Sequence, residues 1–298
     1  MNLSADLLYE RNKMRTQLHK WKWLFFLIVI LMVFVVNSSV KKNKGQDYIA
    51  RLRIEGVIYS DVDLINKIND IKDNSKVKAV IIHVNSPGGT SFAGEELYVN
   101  LKRLSEKKPV VSVLGTVAAS GGYMVALGTD YIVARNMTIT GSIGVIWQSF
   151  EAVEMANKLG IKFVSLKSSP LKAAPNPMEI MNNEAKEAAM DTVEDSYKIF
   201  LGMLIENRKI SPEKARKLAD GRVYTGMRAK EVNLIDAIGG EEEALSWLET
   251  KKEIPNSLKV EDVNWTEPDG LLKQLTQFMR NSNKILTGIF VNTTMAIQ

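Results

Sequence analysis

The sequence of 298 residues contains no cysteine and only two histidines, His19 and His83. The first absence removes disulfides, thiolate nucleophiles and cysteine-based zinc sites together, without identifying a compartment. The second removes histidine-rich metal sites, the helical HExxH arrangement included, so no metal is expected. It also restricts any serine-hydrolase mechanism to one of those two histidines, or to none. No internal repeat of solenoid period and no low-complexity tract is found. The net charge of +5 comes with no basic stripe interleaved with aromatics, so nucleic acid is not an expected partner. What remains is 45% hydrophobic and 24% charged, ordinary for a folded chain that can hold one large domain or two small ones.

One hydrophobic run dominates the N-terminal region. Residues 1–20 form a polar, basic tail, and Leu24–Val36 then carries no polar residue. With its flanks, the stretch 21–40 is about twenty residues, enough to span a bilayer core of about 30 Å. Trp21 and Trp23 suit the aromatic belt at an interface. A cleavable signal peptide is the competing reading, but the polar region before the run is long and no clear A-x-A site follows. We therefore expect a transmembrane signal anchor. Arg11, Lys13, Arg15, Lys20 and Lys22 precede the apolar run and Lys41, Lys42 and Lys44 follow it. That margin places the N-terminus in the cytoplasm and the body outside.

A linker, 41–46, leads into the body, 47–265. Strands are predicted at Tyr48–Ile54, Lys78–Val84, Val110–Leu114, Tyr131–Ala134 and Lys162–Leu166. Helices are predicted at Val62–Ile71, Gly94–Leu104, from Ser120, and from about Asn183 to Asn207. Runs such as Ala79–Val84 are continuously apolar, which suits strands covered on both faces, and the alternation predicts an α/β domain. The tail 266–298 repeats apolar residues at helical spacing and reads as an amphipathic helix against the body or a neighbouring subunit.

Two glycine-rich turns end strands and open helices. Asn85-Ser-Pro-Gly-Gly89 follows Val80–Val84, and Ala118-Ala-Ser-Gly-Gly122 follows Val110–Leu114. In open α/β sheets, ligands bind beyond the carboxyl ends of strands. Gly88 and Gly89 would let backbone N–H groups converge on an oxyanion, with the Gly121 N–H as a further donor. Ser120 would stand at a helix N-terminus, favourable to developing negative charge. The plain alternatives are that Ser120 is an N-cap and Ser-Pro-Gly-Gly an ordinary turn.

His19 lies across the membrane segment from the body, and His83 sits in an apolar strand, where a hydrogen-bonded core role is the simpler reading. Lysine then becomes the natural base for Ser120. Such a lysine must be largely neutral, which means disfavouring its ammonium by about 4–5 kcal/mol through burial with few acidic neighbours. Lys172 qualifies better than most, because Ser168–Pro177 is otherwise uncharged, but Lys158, Lys162 and Lys167 are rivals that spacing alone does not separate from it.

Taken together, these residues resemble the signal peptide peptidase A family of the Clp/crotonase superfamily. The resemblance rests on Val84-Asn-Ser-Pro-Gly-Gly89, Ala118-Ala-Ser-Gly-Gly-Tyr123 and Thr140-Gly-Ser-Ile-Gly-Val145. It continues through Lys158-Leu-Gly-Ile, Leu166-Lys-Ser-Ser-Pro-Leu-Lys172, Ala219-Asp-Gly-Arg-Val-Tyr224 and Ala229-Lys, over roughly residues 47–260. It implies a Clp/crotonase-like fold of repeated ββα units behind one transmembrane helix. By resemblance Ser120 is the nucleophile, Lys172 the general base, and Ser142 a serine that orients the lysine. Gly88 or Gly89, with Gly121, would form the oxyanion hole. The implied partners are peptide substrates left as signal-peptide remnants, membrane lipid, and further copies of the chain, with serine and lysine supplied by adjacent subunits. The implied place is a bacterial inner membrane with the catalytic domain on its outer side, and no cofactor is required. A crotonase-type acyl-CoA enzyme is the first alternative, although neither glycine turn carries an Asp or Glu. The others are a non-catalytic membrane scaffold of the same fold and a protease with one dedicated protein substrate.

Overall fold

The computed structural model describes residues 46–264 and, before them, residues 22, 23, 25 and 27, which are helical. Apart from those four positions and residue 46, the basic tail 1–20, the expected anchor 21–40 and the linker 41–46 lie outside the described residues. So does the expected C-terminal helix 266–298. Among the described residues no helix is long and apolar enough to cross a membrane.

The body, from Tyr48 onward, is organised by its apolar strands. β1 (Tyr48–Ile58), β2 (Val77–Gly89) and β3 (Val110–Ala119) are joined by α1 (Val62–Asp73) and α2 (Ser91–Ser105). The strands pair in parallel, as an αβ alternation with a helix in each connection requires. Side chains on successive strand residues point to opposite faces. Val80, Ile82 and Val84 accordingly enter one apolar cluster, with α1, α2 and Phe200 and Leu204 of α5 (Asn183–Arg208). Ala79 and Ile81 enter a second cluster, under Ala244 and Leu248 of α8 (Glu241–Lys252). Both faces are therefore covered, which explains why the alternation in β2 is hidden beneath a continuous apolar run.

Further along, β3 is followed by α3 (Gly121–Leu127), β4 (Tyr131–Ala134) and β5 (Ile139–Gly141). After them come α4 (Val153–Lys158), α5, α6 (Pro212–Leu218), β6 (Val223–Thr225), α7 (Gly226–Glu231), β7 (Ala237–Ile238), α8 and β8 (Lys259–Asp262). The main path of the sheet runs β6-β5-β3-β2-β1-β8. β3 forks: Val111–Leu114 pairs with β4, while Val117–Ala119 pairs with β5. Among the described ladders β5–β6 is antiparallel and the others are parallel. The fork brings β5, and through it β6, up to the end of β3.

One sequence expectation fails. Lys162–Leu166 forms no strand, and Phe163, Val164 and Leu166 are 53%, 79% and 97% exposed. An isolated strand leaves its backbone N–H and C=O groups unpaired, and among the described residues no ladder reaches this segment. The apolar residues of a strand are present, but among the described residues no strand receives them.

Two ionic ties fix the periphery. Arg208, at the end of α5, is buried and donates from both terminal nitrogens to Asp236, at 2.8 and 2.9 Å. Asp236 also accepts the Ile132 N–H of β4 at 2.8 Å. Breaking a buried pair from one side leaves an uncompensated charge. Arg208→Met is expected to lower unfolding stability by about 3 kcal/mol in chemical denaturation, and a wild-type midpoint would exclude this role.

At the opposite edge Arg51 of β1 donates to Asp262 of β8 at 2.7 Å and to Glu241 at 2.8 and 3.0 Å. His83 Nε2 lies 2.6 Å from Glu241. The bond from Arg51 holds the Asp262 carboxyl below its ordinary range. Burial pushes Glu241 up, but the bonds from His83 and Arg51 outweigh it and leave that carboxyl lowered as well. A carboxyl depressed in the folded state contributes stability above its unfolded value, and that stability is lost as pH falls through the folded value. Protection of β8 amides against hydrogen exchange should therefore decline below about pH 4 before that of β2. Parallel loss in both strands would contradict it.

Candidate active site

The two glycine turns meet. Ser120 sits between the end of β3 and the start of α3 with φ 53° and ψ −121°, outside the regions that ordinary L-residues favour. Such backbone persists only when its surroundings over-determine it. Here they do: the Ser120 N–H donates to the Gly141 carbonyl at 2.8 Å, and its own carbonyl accepts the Met124 N–H at 2.9 Å. The Ser120 side chain makes no capping hydrogen bond, so the plain N-cap reading does not hold. This is the kind of strand-to-helix turn on which hydrolases mount an exposed nucleophile.

Gly88, with φ +113°, lies directly behind it. A Cβ at Gly88 would stand 2.9 Å from the Ser120 Cβ and 3.0 Å from the Gly121 nitrogen. Likewise a Cβ at Gly121 would come 3.3 Å from the Gly89 nitrogen. The Ser-Pro-Gly-Gly turn is thus no ordinary loop, because its backbone is pressed against the turn carrying Ser120. Within it, the Gly88 N–H donates to the buried hydroxyl of Ser86 at 3.0 Å and is committed there. Ser86 was not singled out from sequence; its only signal was its place two residues before Gly88.

A cavity of about 540 Å³ opens beside Ser120. Gly89, Ser120 and Ser142 lie on its wall together with Ile143, Val145, Met190, Val193 and Tyr197. Ser142 follows β5, has φ 50°, and donates its N–H to the Arg222 carbonyl at 2.8 Å. The Thr140 hydroxyl, buried, donates to the Ala118 carbonyl at 2.7 Å and locks β5 to β3. On the far wall the Tyr197 hydroxyl donates to the Ala219 carbonyl at 2.8 Å, anchoring the Asp220–Gly221 corner to α5. Met190, Val193, Glu194 and Tyr197 reach the cavity from successive turns of α5. Their helical spacing was visible in the sequence, but nothing there said which face would meet Ser120.

The candidate lysines fall elsewhere. Lys172 is exposed, in the irregular segment before α5, and is not part of the cavity wall. Its rival Lys167 is largely buried and bonds Glu179. That bond, first among the causes, holds the Glu179 carboxyl below its ordinary range. Lys167 is thereby committed to Glu179 and lies off the cavity wall. His83, committed to Glu241 on the α8 face, matches its expected structural role. One chain therefore assembles Ser120, Gly88, Gly89, Gly121 and Ser142 in one place and leaves Lys172 apart from them.

A parallel-rich α/β sheet with a forced serine turn over a cavity of mixed lining suits a hydrolase, and comparison with known proteins specifies the class. The model of peptidase family S49 matches residues 102–255. A Synechocystis sp. protein provisionally named a protease is 33% identical over 82% of this chain and 87% of its own length. The chloroplastic serine protease SPPA of Arabidopsis thaliana is 34% identical over 82% of this chain, which spans 36% of that longer protein. Among solved structures, a membrane-bound stomatin-specific protease shares the fold, with TM-score 0.52 over 76% of this chain and all of the other, at 17% identity. The chain belongs to peptidase family S49 and is a serine peptidase of the signal peptide peptidase A kind.

The Gly88 contact supplies a test. Gly88→Ala adds a Cβ where φ is positive and Ser120 is 2.9 Å away, so the serine turn must shift. Misplacing reacting groups by about 1 Å costs roughly 100-fold in rate. Peptidase activity is expected to fall by at least about that factor with far-UV circular dichroism unchanged. Near-wild-type turnover would remove the contact from the mechanism.

Proposed function

We propose that the protein is a membrane-anchored serine endopeptidase that degrades released signal peptides and similar apolar peptides, through an acyl-enzyme on Ser120 with Lys172 as general base. The observation that carries this reading is the forced turn at Ser120, pressed against Gly88 and open to a cavity partly walled by apolar side chains. The apolar run 21–40 supports anchorage in a bacterial inner membrane, N-terminus in the cytoplasm and catalytic domain outside.

In this mechanism Lys172 Nζ accepts the Ser120 Oγ proton as Oγ bonds to the substrate carbonyl carbon. With the Gly88 N–H committed to Ser86, the Gly89 and Gly121 N–H groups are the oxyanion donors, and Gly88 serves by leaving room. The ammonium of Lys172 then protonates the departing amine, and the neutral lysine activates the water that releases the acyl group. Ser142, on the cavity wall, orients the lysine through its hydroxyl.

The lysine comes from an adjacent subunit. Three observations support this: Lys172 is off the cavity wall, it is exposed, and the segment around it is unusually apolar for a surface. Phe150, Leu159, Val164, Leu166 and Ile180 are 68–97% exposed, and large apolar side chains gathered on a surface mark an interaction site. A second copy packed there would give Lys162–Leu166 a partner and take Lys172 out of water, which a lysine base needs.

Full-length wild type, Ser120→Ala, Lys172→Ala and a mixture of the two variants, in detergent, are compared on a fluorogenic apolar peptide. Each single variant is expected to lose at least about 1,000-fold in kcat, and subunit exchange on mixing should restore part of it. Normal cleavage by Lys172→Ala would refute the base assignment. Failure of mixing despite demonstrated exchange would place serine and lysine in one subunit.

A further inference from the structure

We propose that the cavity beside Ser120 contains a subsite for a cationic side chain, with Glu194 as its selecting residue, so that the preferred peptides carry a lysine or arginine next to their apolar residues. This rests on the peptidase reading above and adds a charge requirement to it.

Two carboxylates line the cavity, and they differ. Asp220 is occupied: Arg222 Nε donates to its two oxygens at 2.9 and 2.7 Å, and the Arg222 N–H donates at 3.1 Å. Those bonds hold the Asp220 carboxyl below its ordinary range. Glu194, on α5, has no side-chain hydrogen bond or ion pair among the described residues. The cation one turn further along the same helix, Lys198, donates to Asp195 at 3.0 Å, and it feels the Glu194 charge without bonding to it. Asp191 and Glu187, one and two turns before Glu194, place further negative charge on that side of the helix.

Ile143, Val145, Met190 and Val193 supply the apolar part of the wall, and Ser91, Ser120, Ser142 and Tyr197 lie on it as well. A wall with an apolar stretch beside a carboxylate that accepts no hydrogen bond complements a particular kind of group. Lysine and arginine lay their methylene stems along apolar surface and keep the charged head at a polar rim. A neutral apolar side chain would fill the cavity but leave Glu194 without a partner. A glutamate or a free C-terminal carboxylate would face like charge there.

The test uses full-length protein in detergent and an apolar fluorogenic peptide, with arginine placed in turn at each of the three positions before the cleaved bond. Each arginine peptide is matched with its citrulline counterpart, nearly identical in shape and uncharged. In wild type the arginine form is expected to be favoured in kcat/KM by about fivefold at one position, the scale of a rim ion pair. The preference should shrink at about 0.5 M salt. Glu194→Gln should bring the ratio close to one, and Glu194→Lys should reverse it.

Equal cleavage of arginine and citrulline peptides at every position by wild type would overturn the proposal. So would an undiminished preference in Glu194→Gln. A smaller oligomer in Glu194→Gln, seen by size-exclusion chromatography with light scattering, would assign the carboxylate to a subunit interface and overturn it too. A binding arm separates this idea from its parent. Labelled arginine and citrulline peptides are titrated against Ser120→Ala and against Ser120→Ala/Glu194→Gln by fluorescence anisotropy. Glu194-dependent preference for arginine there, with no cleavage by wild type, would uphold the subsite and defeat the peptidase mechanism. Cleavage without preference would do the reverse.

Discussion

The structure turns on one contact between backbones. The Gly88–Gly89 turn at the end of β2 and the Ser120–Gly121 turn at the end of β3 approach so closely that neither Gly88 nor Gly121 has free room for a Cβ. Two parallel neighbours in a sheet hold their strand ends at nearly fixed separation, since the ladder sets the spacing at about 4.8 Å. Small residues at both ends are then the condition for the chains to continue past each other into helices. The same condition places the Gly89 and Gly121 backbone beside the half-buried Ser120. Packing geometry and chemical opportunity thus have one cause.

That contact would be loose if the elements behind it could slide. They are tied in several independent ways. The Tyr123 hydroxyl, fully buried, donates to the Leu234 carbonyl at 2.7 Å and pins α3 from below. A Cβ at Gly122 would meet the Ser86 carbonyl oxygen at 2.7 Å, so the first turn of α3 lies directly on the end of β2. The fork in β3 hands its last three residues to β5, whose Gly141 carbonyl takes the Ser120 N–H. A serine held in an unfavourable φ, ψ region costs about 1–3 kcal/mol, and a core of this size absorbs that without difficulty.

What the sequence reveals follows the range of the interactions involved. β1, β2, β3 and α1, α2 were legible because their signals are local: continuous apolar runs, helical spacing, and glycine punctuation after each strand. The serine turn was legible because two such punctuation marks recur at successive strand ends. The division between Gly88 and Gly89 was not legible, since it depends on the Ser86 hydroxyl folding back on its own turn. Nor was the α5 wall of the cavity, because helical spacing shows that a face exists without naming its neighbour. Lys162–Leu166 misled for the opposite reason. Its apolar residues Phe163, Val164 and Leu166 suit a strand, but a strand is defined by its partner, and the body offers none among the described residues.

The two halves of the proposed dyad therefore rest on different kinds of support. Ser120 is fixed by a parallel ladder, buried apolar clusters and short hydrogen bonds, all inside one chain. Lys172 sits on an irregular, apolar, exposed segment whose conformation in an assembly must be set by whatever covers it. If a neighbouring copy does so, desolvation of the lysine and ordering of its segment happen in the same event. A newly made single chain would then hold a formed oxyanion turn and serine but a solvated lysine. Under that proposal a peptidase beside a membrane would be inert until assembled, with its apolar surface serving first as the adhesive and then as the low-dielectric wall its base requires.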